Sequence, residues 1–194
     1  MTTAPGWIVV LNGPPRAGKS SIAQAIQETL PGVWMNLGVD VARLTTPPAL
    51  QPGIGLRPGE PDHPAAAYQP LLYAALYDAV AAHSRLGLNV VVDVGHHDRA
   101  VLADCARRLE GLPALLIGVR CPLAVIMERR RESGMLPAEG MEPVERWQRE
   151  VHLPGIYDLE LDTSVLSPAE CAATIATRLD GDRPPAAFHQ LASS

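Results

Sequence analysis

Gly13-Pro14-Pro15-Arg16-Ala17-Gly18-Lys19-Ser20 follows directly on the apolar run Trp7 to Leu11. The octapeptide has the spacing of a Walker A loop: Gly, four residues, Gly, Lys, then Ser or Thr. Its flanks give the pattern physical meaning. The β-branched run before it reads as a buried strand, and Ser20–Leu30 after it carries Ile22, Ile26 and Leu30 at helical spacing. Between strand and helix, glycines let the backbone curl so that successive N–H groups converge on phosphate oxygens at a helix N-terminus. Pro14 and Pro15 have no N–H to offer, so the donors come from Arg16, Ala17, Gly18, Lys19 and Ser20. Gly13 frees the entry to the loop, the Lys19 ammonium reaches the β- and γ-phosphates, and the Ser20 hydroxyl ligates Mg²⁺. The competing reading, a Gly/Pro turn with an exposed lysine, explains neither flank.

Outward from this loop, strand-like and helical stretches alternate. Trp7–Asn12, Val33–Leu37, Leu88–Val94 and Ala114–Arg120 read as strands, with a weaker one at Tyr157–Leu161. Helical spacing marks Ser20–Leu30, Tyr68–Leu86, Arg99–Leu109, Leu123–Ser133 and Pro168–Leu179. Strands alternating with helices imply parallel pairing through right-handed crossovers, hence a three-layer α/β domain. We expect that single domain over residues 1–180. Residues 44–66 break the rhythm with Pro47, Pro48, Pro52, Pro58, Pro61 and Pro64 and several glycines, and are expected as an irregular loop on the substrate side. A second break, Ser133 to Met141, falls within a lid region at 129–142. After Asp180 the chain is expected to run out as a loose tail, 181–194.

Composition narrows the function. The chain has 194 residues, 47% of them hydrophobic, and a single Phe. That describes an aliphatic core rather than an aromatic surface for stacking bases. A net charge of −5 argues against a polyanion binder, so no nucleic-acid partner is expected. Cys105, Cys121 and Cys171 are widely spaced without a Cys-x-x-Cys pair, which favours a reducing compartment over a disulfide framework or zinc site. No apolar run approaches the ~20 residues of a membrane helix, so a cytoplasmic protein is expected.

Several side chains join the loop as candidates for chemistry. Asp40 stands at the end of the second strand, on the sheet edge that faces the ligand crevice. There a carboxylate can take the proton of a substrate hydroxyl as its oxygen attacks the γ-phosphorus, or it can cap a following helical turn. Asp93 ends the apolar run Val90-Val91-Val92 in a Walker B arrangement, suited to Mg²⁺ directly or through water; otherwise it is a buried Asp bonded to backbone. His96, His97 and Asp98 follow, and read better as pocket wall or helix cap than as a metal site. Arg129, Arg130 and Arg131 end the helix begun at Pro122, with Arg130 continuing the inner stripe of Leu123, Ile126 and Met127. One of them can supply the cation that phosphoryl transfer needs, while a solvated face paired with Glu128 and Glu132 accounts for the others. Arg120, at the end of the fourth strand, is a further cation for the nucleotide.

In order along the chain, the loop is followed by Leu37-Gly38-Val39-Asp40, Val91-Val92-Asp93, Gly118-Val119-Arg120-Cys121, Val151-His152, Tyr157-Asp158 and Asp162-Thr163-Ser164. This set resembles the chloramphenicol phosphotransferases, small P-loop kinases that move phosphate from ATP to a hydroxyl of an antibiotic. The resemblance implies a five-stranded parallel sheet of order 2-3-1-4-5, Asp40 as catalytic base and residues 13–20 as the ATP site. Thr163 and its neighbours become the candidate base-side wall. The chain departs from the family at Ser133-Gly134-Met135-Leu136, where Arg-Gly-Asp-Arg would stand in the lid, and at Arg16, where the family typically has Ser. Arg129 and Arg131 match arginines one or two turns earlier, and Arg130 is extra. The expected protein is a Mg²⁺- and ATP-dependent kinase, with GTP an open alternative, acting on an antibiotic-like small molecule for self-resistance or biosynthesis. Its competitors are a kinase of a nucleoside or sugar antibiotic or of a metabolite, and a nucleotide-binding module without catalysis. Nothing in the sequence reads out an oligomeric state.

Overall fold

Five parallel strands order as β2-β3-β1-β4-β5 in the computed structural model, which describes residues 4–53, 64–133 and 142–193. The strands are β1 (Ile8–Asn12), β2 (Trp34–Asn36), β3 (Asn89–Val94), β4 (Ala114–Arg120) and β5 (Leu159–Asp162). This is the order the resemblance implies, with the Walker A strand central. β1 is buried along its whole length because both faces of the sheet are covered, as parallel sheets require. Ile8 and Val10 face one core with Val90, Val92 and Leu116. Val9 and Leu11 face the other with Val91, Leu115 and Ile117, the period-two alternation of a strand.

Helices α1 (Lys19–Thr29), α5 (Leu123–Glu132) and α7 (Pro168–Asp180) cover the second face, through Ile22, Ile26, Ile126, Cys171 and Ile175. Helices α3 (Gln69–Arg85) and α4 (Arg99–Arg108) cover the first, through Tyr77, Val80, Leu102 and Cys105. Register places the strand ends that matter side by side: Asn12 lies opposite Val94 on β3 and Gly118 on β4. The loops leaving β1 and β3 therefore emerge together at one edge. No helix among the described residues is long and apolar enough to cross a membrane.

Two expectations need correction. The stretch 44–66 is not free of regular structure. Helix α2 (Val39–Thr45) enters it, and 3₁₀ turns occupy Pro48–Gly53 and Pro64–Tyr68, where fixed proline φ angles suit tight turns; residues 54–63 lie outside the described residues. Between α5 and α6 (Glu142–Glu150), most of the expected lid likewise lies outside them. The second correction is the C-terminus. In place of a loose tail, Ala187–Ala192 form α8, whose Ala187, Phe188 and Leu191 are buried against the α4 side of the sheet. Asp158 anchors it by accepting from the backbone N–H groups of Ala186 at 2.7 Å and Ala187 at 3.2 Å, and from that of Leu116 on β4 at 3.0 Å.

Candidate active site

The loop after β1 turns tightly before it becomes α1. Ala17 N–H donates to the Pro14 carbonyl at 3.2 Å, and the backbone takes positive φ at Arg16 (70°) and Gly18 (90°). Gly13 is required by space: a Cβ there would stand 2.5 Å from the Val119 carbonyl oxygen. Lys19 and Ser20 open α1, and both reach Asp93 on the neighbouring strand. Ser20 Oγ donates to Asp93 Oδ2 at 2.6 Å, while Lys19 Nζ lies 3.4 Å from Oδ1 and donates to the Pro14 carbonyl at 3.0 Å. Asp93 and Lys19 are both nearly buried. Gly38 lets the next strand's loop press onto Asp93, since a Cβ on it would lie 2.9 Å from Asp93 Cβ.

These residues floor a cleft of about 900 Å³. One wall is α2, with Val39, Asp40 and Arg43; the other is the loop after β5, with Thr163 and Leu166; Arg129, Arg130 and Trp147 close it from α5 and α6. Asp40 is not the strand end that the sequence suggested. β2 stops at Asn36, whose Oδ1 accepts from Gly38 N–H at 3.1 Å, and Gly38 starts α2, which puts Asp40 in that helix's first turn. Its carboxylate is 75% exposed in the cleft and 3.5 Å from Arg43.

The other candidates divide. Arg16, Gly18, Arg129, Arg130 and Thr163 line the cleft, whereas Arg131 is exposed outside its lining. Ala17 is fully buried beneath the loop, its carbonyl accepting from Thr163 Oγ1 at 2.7 Å, so it serves the loop's frame rather than the cleft wall. Arg120 is removed from the phosphate side: it pairs with Glu160 on β5 at 2.6 Å and lies over the Tyr157 ring. A strand-end arginine next to an edge strand finds the facing carboxylate first.

His96, His97 and Asp98 do not wall the cleft. Asp98 caps α4, accepting from Ala100 and Val101 N–H. His96 is buried, its Nε2 2.8 Å from the Tyr77 hydroxyl, and burial pushes its pKa down to about 3, so the ring is neutral. His152 is lowered to about 4, mainly by burial and then by Arg120, with Nδ1 2.8 Å from the Tyr157 hydroxyl. Asn12 joins these layers: it donates to the Val151 carbonyl at 2.8 Å and to Tyr157 Oη at 3.0 Å, and accepts from His96 N–H at 2.8 Å.

Of the cleft residues that the sequence reading passed over, two carry a signal that could have found them. Trp147 is a lone aromatic in the charged run Glu142–Glu150, a pattern that signals one buried contact on an otherwise wet helix. Arg43 follows Asp40 by one turn and could have been read as its ion-pair partner.

The donor set fits a magnesium nucleotide. A serine hydroxyl and one carboxylate are hard oxygen ligands, and Mg²⁺ characteristically takes one or two such groups together with phosphates and waters. Among the described residues no cluster of three or more His, Cys, Asp or Glu offers an all-protein metal cage.

In sequence, the chain is 28% identical over 208 residues to a Mycobacterium tuberculosis protein named "Putative O-phosphotransferase", covering 96% of this chain and 88% of that one. In structure it is similar to the tunicamycin resistance protein of Deinococcus radiodurans (TM-score 0.65, 24% identity, 93% of this chain and 99% of that one). It is also similar to the Mycobacterium tuberculosis APS kinase CysC in complex with AMPPNP and APS (TM-score 0.65, 18% identity, 92% and 100%). A third, shikimate kinase from Acinetobacter baumannii in complex with shikimate, aligns at TM-score 0.59 and 14% identity over 90% of this chain and 92% of that one. At such identities the structural likenesses establish the fold. The family model for "Chloramphenicol phosphotransferase-like protein" matches residues 6–180, and the chain belongs to that family of P-loop phosphotransferases.

Proposed function

We propose that this phosphotransferase moves the γ-phosphoryl group of ATP to a hydroxyl of an antibiotic-like small molecule, with Asp40 as general base. The observation that carries the reading is the Lys19–Asp93–Ser20 contact at the mouth of the loop, with Asp40 exposed in the same cleft. The loop's N–H groups and Lys19 hold the phosphates. Ser20 and Asp93 would hold Mg²⁺, which would supply positive charge to the phosphates. Asp40 takes the proton from the acceptor hydroxyl as its oxygen bonds to phosphorus and the bond to the departing nucleoside diphosphate breaks. Lys19, with Arg130 of α5, brings positive charge to the transferring group. The loop after β5, through Leu166, supplies the base-side wall of the cleft.

The antibiotic-like acceptor draws on the family and on the tunicamycin resistance protein among the structural relatives. The test is a transfer screen with Mg·ATP across hydroxyl-bearing antibiotics, with mass detection of the phosphorylated product. Product from an antibiotic, abolished by Asp40→Asn, is the expected result. Transfer to primary metabolites or nucleosides alone would overturn the acceptor class and leave the kinase standing.

A further inference from the structure

Arg129 entered the sequence reading as a cation for the transferring phosphate. Its contacts assign it other work. Nη1 lies 3.2 Å from the Arg16 carbonyl, 3.3 Å from Thr163 Oγ1 and 3.5 Å from Cys121 Sγ, and Nη2 donates to the Thr163 carbonyl at 2.7 Å. The Thr163 hydroxyl in turn donates to the Ala17 carbonyl at 2.7 Å. Two successive carbonyls of the phosphate loop are therefore held from one side, Arg16 by Arg129 and Ala17 by Thr163.

That geometry bears on the loop's donors. In a trans peptide the C=O and N–H point in opposite directions. Holding the Ala17 carbonyl toward Thr163 turns the Gly18 N–H away from it. Holding the Arg16 carbonyl toward Arg129 turns the Ala17 N–H back toward Pro14, where it closes the loop's turn at 3.2 Å. The loop also contains a conformation that must be enforced. Arg16 has φ of 70°, the left-handed region, which is strained for a residue with a Cβ and persists where its surroundings over-determine it. The guanidinium on its carbonyl is such a constraint, and it comes from a helix 113 residues away in sequence.

We propose that Arg129 and Thr163 form a strut that sets the peptide planes of the phosphate loop for polyphosphate binding. Arg129 is then a positioning residue, and the transition-state charge falls to Lys19 and Arg130, which also lines the cleft. The proposal rests on the reading that this loop binds Mg·ATP. It explains why the arginine match to the family at this position coexists with altered lid residues: Arg129 serves the loop's shape, which every nucleotide complex needs.

The test is calorimetric titration of Mg·ATP into the full-length wild type, Thr163→Val, Thr163→Ser, Arg129→Lys, Arg129→Met and the Thr163→Val/Arg129→Met double variant. ATP consumption at saturating nucleotide is measured alongside. Thr163→Val and Arg129→Met should each weaken binding about 10-fold or more, the worth of one charge-assisted hydrogen bond. Arg129→Lys should weaken it nearly as much, because a lysine keeps the charge and loses the fork. Thr163→Ser keeps the hydroxyl and should bind as wild type. The double variant should be little weaker than the weaker single one, since both remove one device. Consumption at saturation should stay within a few-fold of wild type for each variant. If Arg129→Met binds Mg·ATP normally but loses about 10²-fold in saturated turnover, Arg129 is the transition-state cation and the strut is wrong. Additive losses, or unchanged affinity throughout, also overturn it. A wild type that binds no Mg·ATP overturns the nucleotide reading and the strut together, whereas equal binding by wild type and variants overturns the strut alone.

Discussion

Changing Asp93 to asparagine separates the two jobs of that carboxylate. The carboxamide keeps the shape and one oxygen for Ser20 Oγ, now 2.6 Å from Oδ2, and deletes the charge facing Lys19 at 3.4 Å. The two side chains are only 10% and 12% exposed, so solvent screens them little. Unit charges 3.4 Å apart interact by about 5 kcal/mol at an effective dielectric constant near 20. Breaking a buried pair by removing one partner costs about 3–5 kcal/mol, because the survivor is left uncompensated. Lys19 retains the Pro14 carbonyl at 3.0 Å, which favours the lower end of that range. A loss of about 3 kcal/mol in a domain of this size lowers the melting temperature by about 6–12 °C. Urea unfolding and scanning calorimetry of the nucleotide-free protein measure it. Adding Lys19→Met to Asp93→Asn should recover most of the loss, since no buried charge then remains. If Asp93→Asn unfolds within about 0.5 kcal/mol of wild type, the pair behaves as a surface pair and the reasoning fails.

Asp40→Asn should keep Mg·ATP affinity and lose about 10²-fold or more in transfer rate, the range a general base contributes; unchanged initial rates would place the proton acceptor elsewhere. Phe188→Ala should cost about 3–5 kcal/mol in urea unfolding, because α8 is part of the core; a loss under about 1 kcal/mol would make it a surface appendage. His96 and His152, lowered to about 3 and about 4, are neutral in the fold, while in the unfolded chain imidazoles take up protons near pH 6.5. Their contribution to stability is complete above pH ~6.5 and falls as the pH drops toward 4, by up to about 1.4 kcal/mol per pH unit for each histidine. Urea midpoints from pH 7 to pH 5 measure that slope, and His96→Gln should flatten it.

What could be read from the sequence was what local pattern dictates. Ala114–Val119 is apolar without a break because β4 is buried there, and Arg120 ends both the run and the strand. The loop 13–20 declared itself because its glycines, lysine and serine must stand at fixed spacing between strand and helix. Two of the misreadings share a cause: each depended on a partner distant in the chain. Arg120 looked like a phosphate ligand until Glu160, on the adjacent edge strand, took it. The tail looked loose because its apolar residues are few, yet the chain's single Phe lies there and Asp158 holds the helix start. Arg129 could be counted among three arginines, but only tertiary structure reveals which carbonyls it meets. Asp40 was placed one element early because Asn36 ends β2 and Gly38 begins a helix, a boundary that a short edge strand barely marks.

The central claim is that Lys19, Ser20 and Asp93 make this cleft a magnesium-nucleotide site. Calorimetric titration of Mg·ATP into wild type and Lys19→Ala tests it most directly. The account predicts one equivalent bound by the wild type, weakened at least about 10²-fold on losing the lysine's buried charge contacts with phosphate. Absence of binding by the wild type at millimolar Mg·ATP and Mg·GTP, or equal affinity in Lys19→Ala, would contradict it.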